Sequence, residues 1–233
     1  MSSSPEGRVR PALWLALLLA ASGALIAGAP AAAKPETGTV AGKVTLVRLP
    51  VGSAVSGYDD VVVYLEDAPP SGKMHKGPFR IVQRNKTFEP KVAVVPRGEA
   101  VDFPNEDKLQ HNVFSLAPEA TFDLGLYKRG ESRTVSFEKP GIVPIFCNIH
   151  PQMAAYVVVV KNPFYARLRD GRFTLHGVPP GTYTVVAWFP HGKPQRQQIK
   201  VTPGATARLD LQLNEQRGAE RHANKQGKTY SRY

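Results

Sequence analysis

Phe146-Cys147-Asn148-Ile149-His150-Pro151-Gln152-Met153 is the stretch on which the reading of this chain turns. Cys147 is the only cysteine in 233 residues. His150 follows it by three positions, and Met153 follows His150 by three. A thiolate, an imidazole and a thioether, joined by a second imidazole, are the donors of a mononuclear copper electron-transfer site. The second imidazole must come from elsewhere in the chain. His111 is the candidate, in the run Phe103-Pro104-Asn105-Glu106-Asp107-Lys108-Leu109-Gln110-His111-Asn112-Val113. Ile142–Phe146 reads as a strand that delivers the chain into the ligand loop, and Ala155–Lys161 as the strand that leads it away. One remote ligand and three on a late loop let a rigid β scaffold fix the donors before a metal arrives.

Working outward, the chain reads as all-β. Short β-branched and aromatic runs recur between Pro and Gly, and no long amphipathic helix follows the first 33 residues. Strands are predicted at Val40–Val47, Val61–Leu65, Phe79–Arg84, Lys91–Val95, Ala100–Phe103, Asn112–Ser115, Thr134–Phe137, Ile142–Phe146 and Ala155–Lys161. Val157-Val158-Val159-Val160 is a continuous apolar run, as in a strand buried on both faces. Pro144 is expected at an edge or a bulge, because it has no N–H to give a ladder. A Gly-, Pro- and Lys-rich linker occupies 68–78. Beyond Asn162-Pro163, strands are predicted after Asp170-Gly171, at Thr184–Trp188, near Gln195–Val201 and at Ala205–Leu213. The stretch 214–233 is polar, basic and without periodicity, and is expected to be a disordered tail.

Here the residues carry a resemblance. The run from Lys86 to Lys161 is similar to the cupredoxins, the blue copper proteins of the amicyanin and plastocyanin type. Phe103-Pro104-Asn105, His111-Asn112-Val113 and the Cys147-to-Met153 loop carry it. The resemblance implies a Greek-key β-sandwich holding one type-1 copper ion. His111, Cys147 and His150 would be its strong ligands and Met153 its axial ligand. Asn112 matches the family position whose backbone N–H bonds the ligand sulfur, and Asn105 matches a loop-fixing asparagine. Two positions depart from the pattern: Gln110 stands where a proline usually precedes the first histidine, and Asn148 stands where a hydroxyl residue usually follows the cysteine. Neither removes a ligand. Zinc would use the histidines and the thiolate but leave Met153 without a role.

A second resemblance lies toward the C-terminus. Asp170-Gly171-Arg172-Phe173 and Val178-Pro179-Pro180-Gly181-Thr182-Tyr183 resemble the carboxypeptidase regulatory-like domain, a small transthyretin-like β-sandwich. Two strands that open that pattern fit Gly38-Thr39-Val40-Ala41-Gly42-Lys43-Val44 and Val61-Val62-Val63-Tyr64-Leu65. The expected plan is therefore a cupredoxin (79–161) inserted into or joined to a regulatory-like sandwich made of 38–67 and 162–213. Such a module implies docking, structural or carbohydrate-like contact, and no catalysis.

The N-terminus reads as an export signal over residues 1–33. Arg8 and Arg10 give a positive start, Ala12 to Ala29 is apolar and uncharged, and Ala31-Ala32-Ala33 offers a cleavage site. The competing reading is an uncleaved anchor, since 18 such residues just suffice to span a bilayer. A periplasmic or secreted protein is expected, with no membrane span after cleavage. A single cysteine in an oxidising compartment cannot make an intramolecular disulfide, which favours metal ligation. With 30 basic and 19 acidic side chains spread along the chain, no Lys/Arg block suggests nucleic acid. The excess charge instead suits an acidic partner, and the resemblance suggests a c-type cytochrome or a dehydrogenase. No His-x-His pair occurs in the chain, so the clustered extra histidines of multicopper oxidases or nitrite reductases are missing and no enzyme is expected. The alternative is a copper-handling or envelope- or carbohydrate-binding β-sandwich that does not cycle redox state. His75, His176, His191 and His222 are expected outside the site.

Overall fold

The computed structural model describes residues 36–47, 57–190, 192–216 and 222–228. The expected signal segment and His191 lie outside the described residues. Two strands open the chain, β1 (Gly38–Val47) and β2 (Val62–Leu65). Ten follow in the middle: β3 (Phe79–Arg80), β4 (Val82–Arg84), β5 (Thr87–Glu89), β6 (Val92–Pro96), β7 (Ala100–Pro104), β8 (His111–Ala117), β9 (Ala120–Tyr127), β10 (Ser132–Ser136), β11 (Gly141–Phe146) and β12 (Ala154–Val160). Five close it: β13 (Tyr165–Arg167), β14 (Arg172–Val178), β15 (Gly181–Trp188), β16 (Gln195–Val201) and β17 (Thr206–Asn214). Among the described residues no helix is long and apolar enough to cross a membrane.

Four sheets stack through three apolar layers. The first sheet has the order β14-β1-β17 and the second β13-β2-β15-β16. Val40, Val44, Phe173, Leu175, Leu209 and Leu211 of the first meet Val63, Leu65, Val185 and Ala187 of the second. The third sheet has the order β6-β12-β11-β8-β9, and the fourth β10-β7-β3. Val113, Val143, Ile145, Val157 and Val159 of the third meet Val101 and Phe103 of the fourth. The second and third sheets then lie back to back. Val62, Tyr64, Val186 and Trp188 press on Val92, Val94, Val158 and Val160. The alternation of side chains along a strand produces this arrangement. Val157 and Val159 enter one core while Val158 and Val160 enter the other, and the uninterrupted valine run of β12 is the result.

The opening strands pair with the closing ones. β1 runs parallel to β17 from Thr39↔Thr206 to Val47↔Asn214 and antiparallel to β14. β2 pairs antiparallel with β15 and β13. Gly42 is required where β1 crosses β17, since a Cβ there would lie 1.7 Å from the Leu209 carbonyl oxygen. Asn162 ties together the two passes of chain between the halves. Its Nδ2 donates to the Leu65 and Ala68 carbonyls at 2.7 and 3.3 Å, and its Oδ1 accepts from the Phe164 N–H at 3.1 Å.

Several local expectations differ from the structure. Phe79–Arg84 is two short strands, and β5, β9 and β13 were not anticipated. Pro144 lies inside the third sheet. There β11 pairs fully with β12 but meets β8 only at Phe146↔Phe114, so the missing N–H falls where the ladder is already interrupted. Of the tail expected to be disordered, His222–Lys228 is seated against the third sheet by hydrogen bonds and ring contacts.

Candidate metal centre

β11 ends at Phe146 and β12 begins at Ala154, and the loop between them closes on itself. The Cys147 N–H donates to the Met153 carbonyl at 3.3 Å and the Met153 N–H to the His150 carbonyl at 3.0 Å. This turn brings Cys147 and His150 to the start of β8, whose first residue is His111. His111, Cys147 and Met153 are fully buried, and His150 is half-buried.

The donor atoms form a small triangle. Cys147 Sγ lies 3.9 Å from His111 Nδ1 and 3.7 Å from His150 Nδ1, and the two Nδ1 atoms are 3.1 Å apart. A triangle with those sides has a circumradius of about 2.1 Å, the length of ordinary metal–nitrogen and metal–thiolate bonds. A single ion therefore fits in the plane of the three atoms without moving them. Met153 is fully buried and belongs to the same apolar cluster as Cys147. Two imidazoles and a cysteine sulfur suit a transition metal or zinc and not calcium or magnesium, which take oxygen ligands.

Hydrogen bonds outside the triangle orient it. His111 Nε2 lies 2.7 Å from Asp107 Oδ2. A carboxylate only accepts, so Nε2 carries a proton and Nδ1 is turned toward Cys147 and His150. The same carboxylate accepts from the Asn85 and Lys86 N–H groups at 2.7 and 2.8 Å. Asn85 and Lys86 form the β4–β5 turn, with φ of 53° and 56°. Two successive left-handed residues aim two N–H groups at one acceptor, as in a type I′ turn. Asn105 fixes the loop before His111: its Nδ2 donates to the Leu109 and Tyr127 carbonyls, and its Oδ1 accepts from the Asp107 N–H. Asn112 offers its backbone N–H to the Cys147 sulfur. Its side chain accepts from the Asn148 N–H and donates to Asp123 and Gly125.

The titration behaviour follows from these contacts. Burial pushes the Cys147 thiol up, but His111 and the N–H groups of Asn112, Ile149 and His150 outweigh it and lower it below the usual thiol value. Burial pushes His111 down, yet bonds to Cys147 and Asp107 leave it raised. His150 is lowered, first by burial and then by the neighbouring positive charges of His111 and Lys86. A metal ion held by these donors would compete with protons for them.

The sequence alone assigns Asp107 no role. Its i, i+4 spacing to His111 was visible, while the turn that completes its coordination belongs to a different hairpin. His75 lies against Phe79, and no described group of metal-binding side chains includes it or His176.

Comparison with solved structures finds chains that match part of the molecule. A methionine-to-alanine variant of amicyanin in the Cu(I) state is 20% identical, with 42% of this chain and 97% of that one covered and a TM-score of 0.34. A purple cupredoxin from Nitrosopumilus maritimus is 21% identical, covering 35% and 99%, with a TM-score of 0.33. A copper-containing nitrite reductase from Thermus scotoductus SA-01 is 24% identical, covering 50% of this chain but 28% of that one, with a TM-score of 0.35. Comparison with curated protein sequences gives no match. Residues 168–214, which hold β14 to β17, match the carboxypeptidase regulatory-like domain.

Proposed function

We propose that this chain is an exported type-1 copper protein that carries single electrons between periplasmic redox partners. One observation carries the reading: Cys147 Sγ and the Nδ1 atoms of His111 and His150 surround a point at ordinary bonding distance from all three. A copper ion bound there supplies a one-electron Cu(II)/Cu(I) couple. The chain supplies the rest. His111 is locked by Asp107, His111 and backbone N–H groups lower the Cys147 thiol below its usual value, and an apolar cluster surrounds Cys147 and Met153. A rigid, dry donor set changes little with oxidation state, which favours rapid electron transfer.

His150 is the least buried of the three donors and marks the side open to a partner. Its neighbour Ile149 is an exposed apolar side chain, suited to a small, short-lived redox contact. The excess of basic residues would steer an acidic partner such as a c-type cytochrome or a dehydrogenase, and association would slow with added salt. The regulatory-like sandwich is read as a docking or structural module for the envelope.

Titration of the copper-free protein with Cu(II), followed by visible absorption, tests the reading. One equivalent should give the intense thiolate-to-copper colour. Cys147→Ser should abolish it, because the sulfur is its source. Full colour in that variant, or none in the parent, sinks the proposal.

A further inference from the structure

We propose that His222–Lys228 is a clasp that fixes the ligand loop from Cys147 to Met153, with His222 and Lys225 as its positioning residues. The proposal rests on the reading of that loop as metal-binding.

The segment reaches the loop at three points. The His222 ring stacks on Phe146, the residue before Cys147, with centroids 4.4 Å apart and an interplanar angle of 21°. Phe114, which pairs with Phe146 across β8 and β11, meets the same ring edge-on at 6.1 Å. The His222 N–H donates to the Pro151 carbonyl at 3.3 Å. The Lys225 N–H donates to Asn148 Oδ1 at 3.0 Å.

Lys225 Nζ completes a circuit by bonding Asp123 at 2.6 Å. Asp123 accepts from Asn112 Nδ2 at 2.6 Å, and Asn112 Oδ1 accepts from the Asn148 N–H at 3.3 Å. The clasp, β8, β9 and the ligand loop are thereby joined in one ring of hydrogen bonds. Asn224 gives the segment its own shape, because its Oδ1 accepts from the Gln226 and Lys228 N–H groups. The segment therefore arrives as a formed turn and not as an extended strand.

This assigns a role to Asn148. Its N–H and its side-chain oxygen are both used, one on Asn112 and one on Lys225. The bond from Lys225 comes from its backbone, so it survives loss of the side chain. The exposed Lys225–Asp123 ion pair adds little by itself. Restraint of the loop thus depends on the Lys225 and His222 N–H groups and on the His222 ring.

The test uses the full chain. Hydrogen exchange at residues 148–150 of the copper-free protein, and copper release to a chelator from the loaded protein, are compared among variants. The double variant His222→Ala/Lys225→Pro should raise both rates about tenfold or more, through loss of the Lys225 N–H bond and the ring stack. Exchange in β15 should stay unchanged. Lys225→Ala should have little effect, and His222→Phe should keep the parent rates because it keeps the stack. Asn148→Ala should accelerate the parent but add little to the double variant. Parent-like exchange in the double variant, or additive effects with Asn148→Ala, would overturn the clasp. A parent that takes no copper colour sinks the functional reading, while the exchange comparison still decides the clasp.

Discussion

Asp107 serves two masters with one carboxylate. It accepts from the β4–β5 turn and from His111, and those bonds hold it below its ordinary value of 3.8 even though burial pushes it up. Asp107→Asn keeps the shape but leaves one side-chain acceptor for three donors. We expect the copper-free variant to lose about 1–3 kcal/mol at neutral pH, read from urea midpoints, because a donor is left unsatisfied. The sign with pH follows from the depressed native value. The carboxylate's contribution is complete above about pH 3.8 and drains as pH falls through the lower native value, so parent and variant should converge in acid. A gap that stays constant below pH 3.8 would show that the charge is not what holds the turn. His111, Cys147 and His150 were legible as a group because their types and spacing express chemistry directly, and the structure brings these three together. Asp107 was not, since its partners Asn85 and Lys86 stand 22 and 21 residues away and meet it only through folding.

Elements were legible where one face alternates or a run is wholly apolar. Val157–Val160 announced a doubly buried strand, and β12 is one. β9 was not anticipated although Phe122, Leu124 and Leu126 alternate; Asp123 and Gly125 within it are residue types that strands disfavour. β5 and β13 are three residues each, too short for periodicity to register. The pairing of β1 with β17 could be anticipated only through the family pattern, since nothing local links Val40 to Ala207. Asn162 is the clearest case of an element boundary with a job. It bonds the chain leaving β2 and the chain entering β13. Asn162→Ala should destabilise the protein by about 1–3 kcal/mol, since it leaves buried backbone groups unpaired. Asn162→Asp, which keeps an acceptor for Phe164 but cannot donate to Leu65, should recover only part of that. Equal stability of all three in thermal melts would show that the two passes need no tie.

At the scale of the molecule, the decisive feature is the layer between the second and third sheets. Two sandwiches joined only by linkers would unfold separately, each at its own midpoint. Here Val62, Tyr64, Val186 and Trp188 share a core with Val92, Val94, Val158 and Val160, and Trp188 lies edge-on to Tyr156 at 5.3 Å. Each half would expose this apolar face if the other unfolded, so separation carries a penalty that couples them. We expect one cooperative transition. Trp188 is the one tryptophan beyond the expected signal segment, which holds Trp14, so its fluorescence reports this layer. In protein given one equivalent of Cu(II), fluorescence, far-ultraviolet dichroism and the copper colour expected under the proposed function should vanish at the same urea concentration. Trp188→Ala should cost about 3–5 kcal/mol, the usual range for deleting a large buried aromatic. Because β15 carries it while β12 receives it, that variant should also speed hydrogen exchange in β12, beyond the sandwich where the change was made. If the colour is lost well before the dichroism of the remaining sheets, or if exchange in β12 ignores Trp188→Ala, the two halves are independent and the shared layer is contact without coupling.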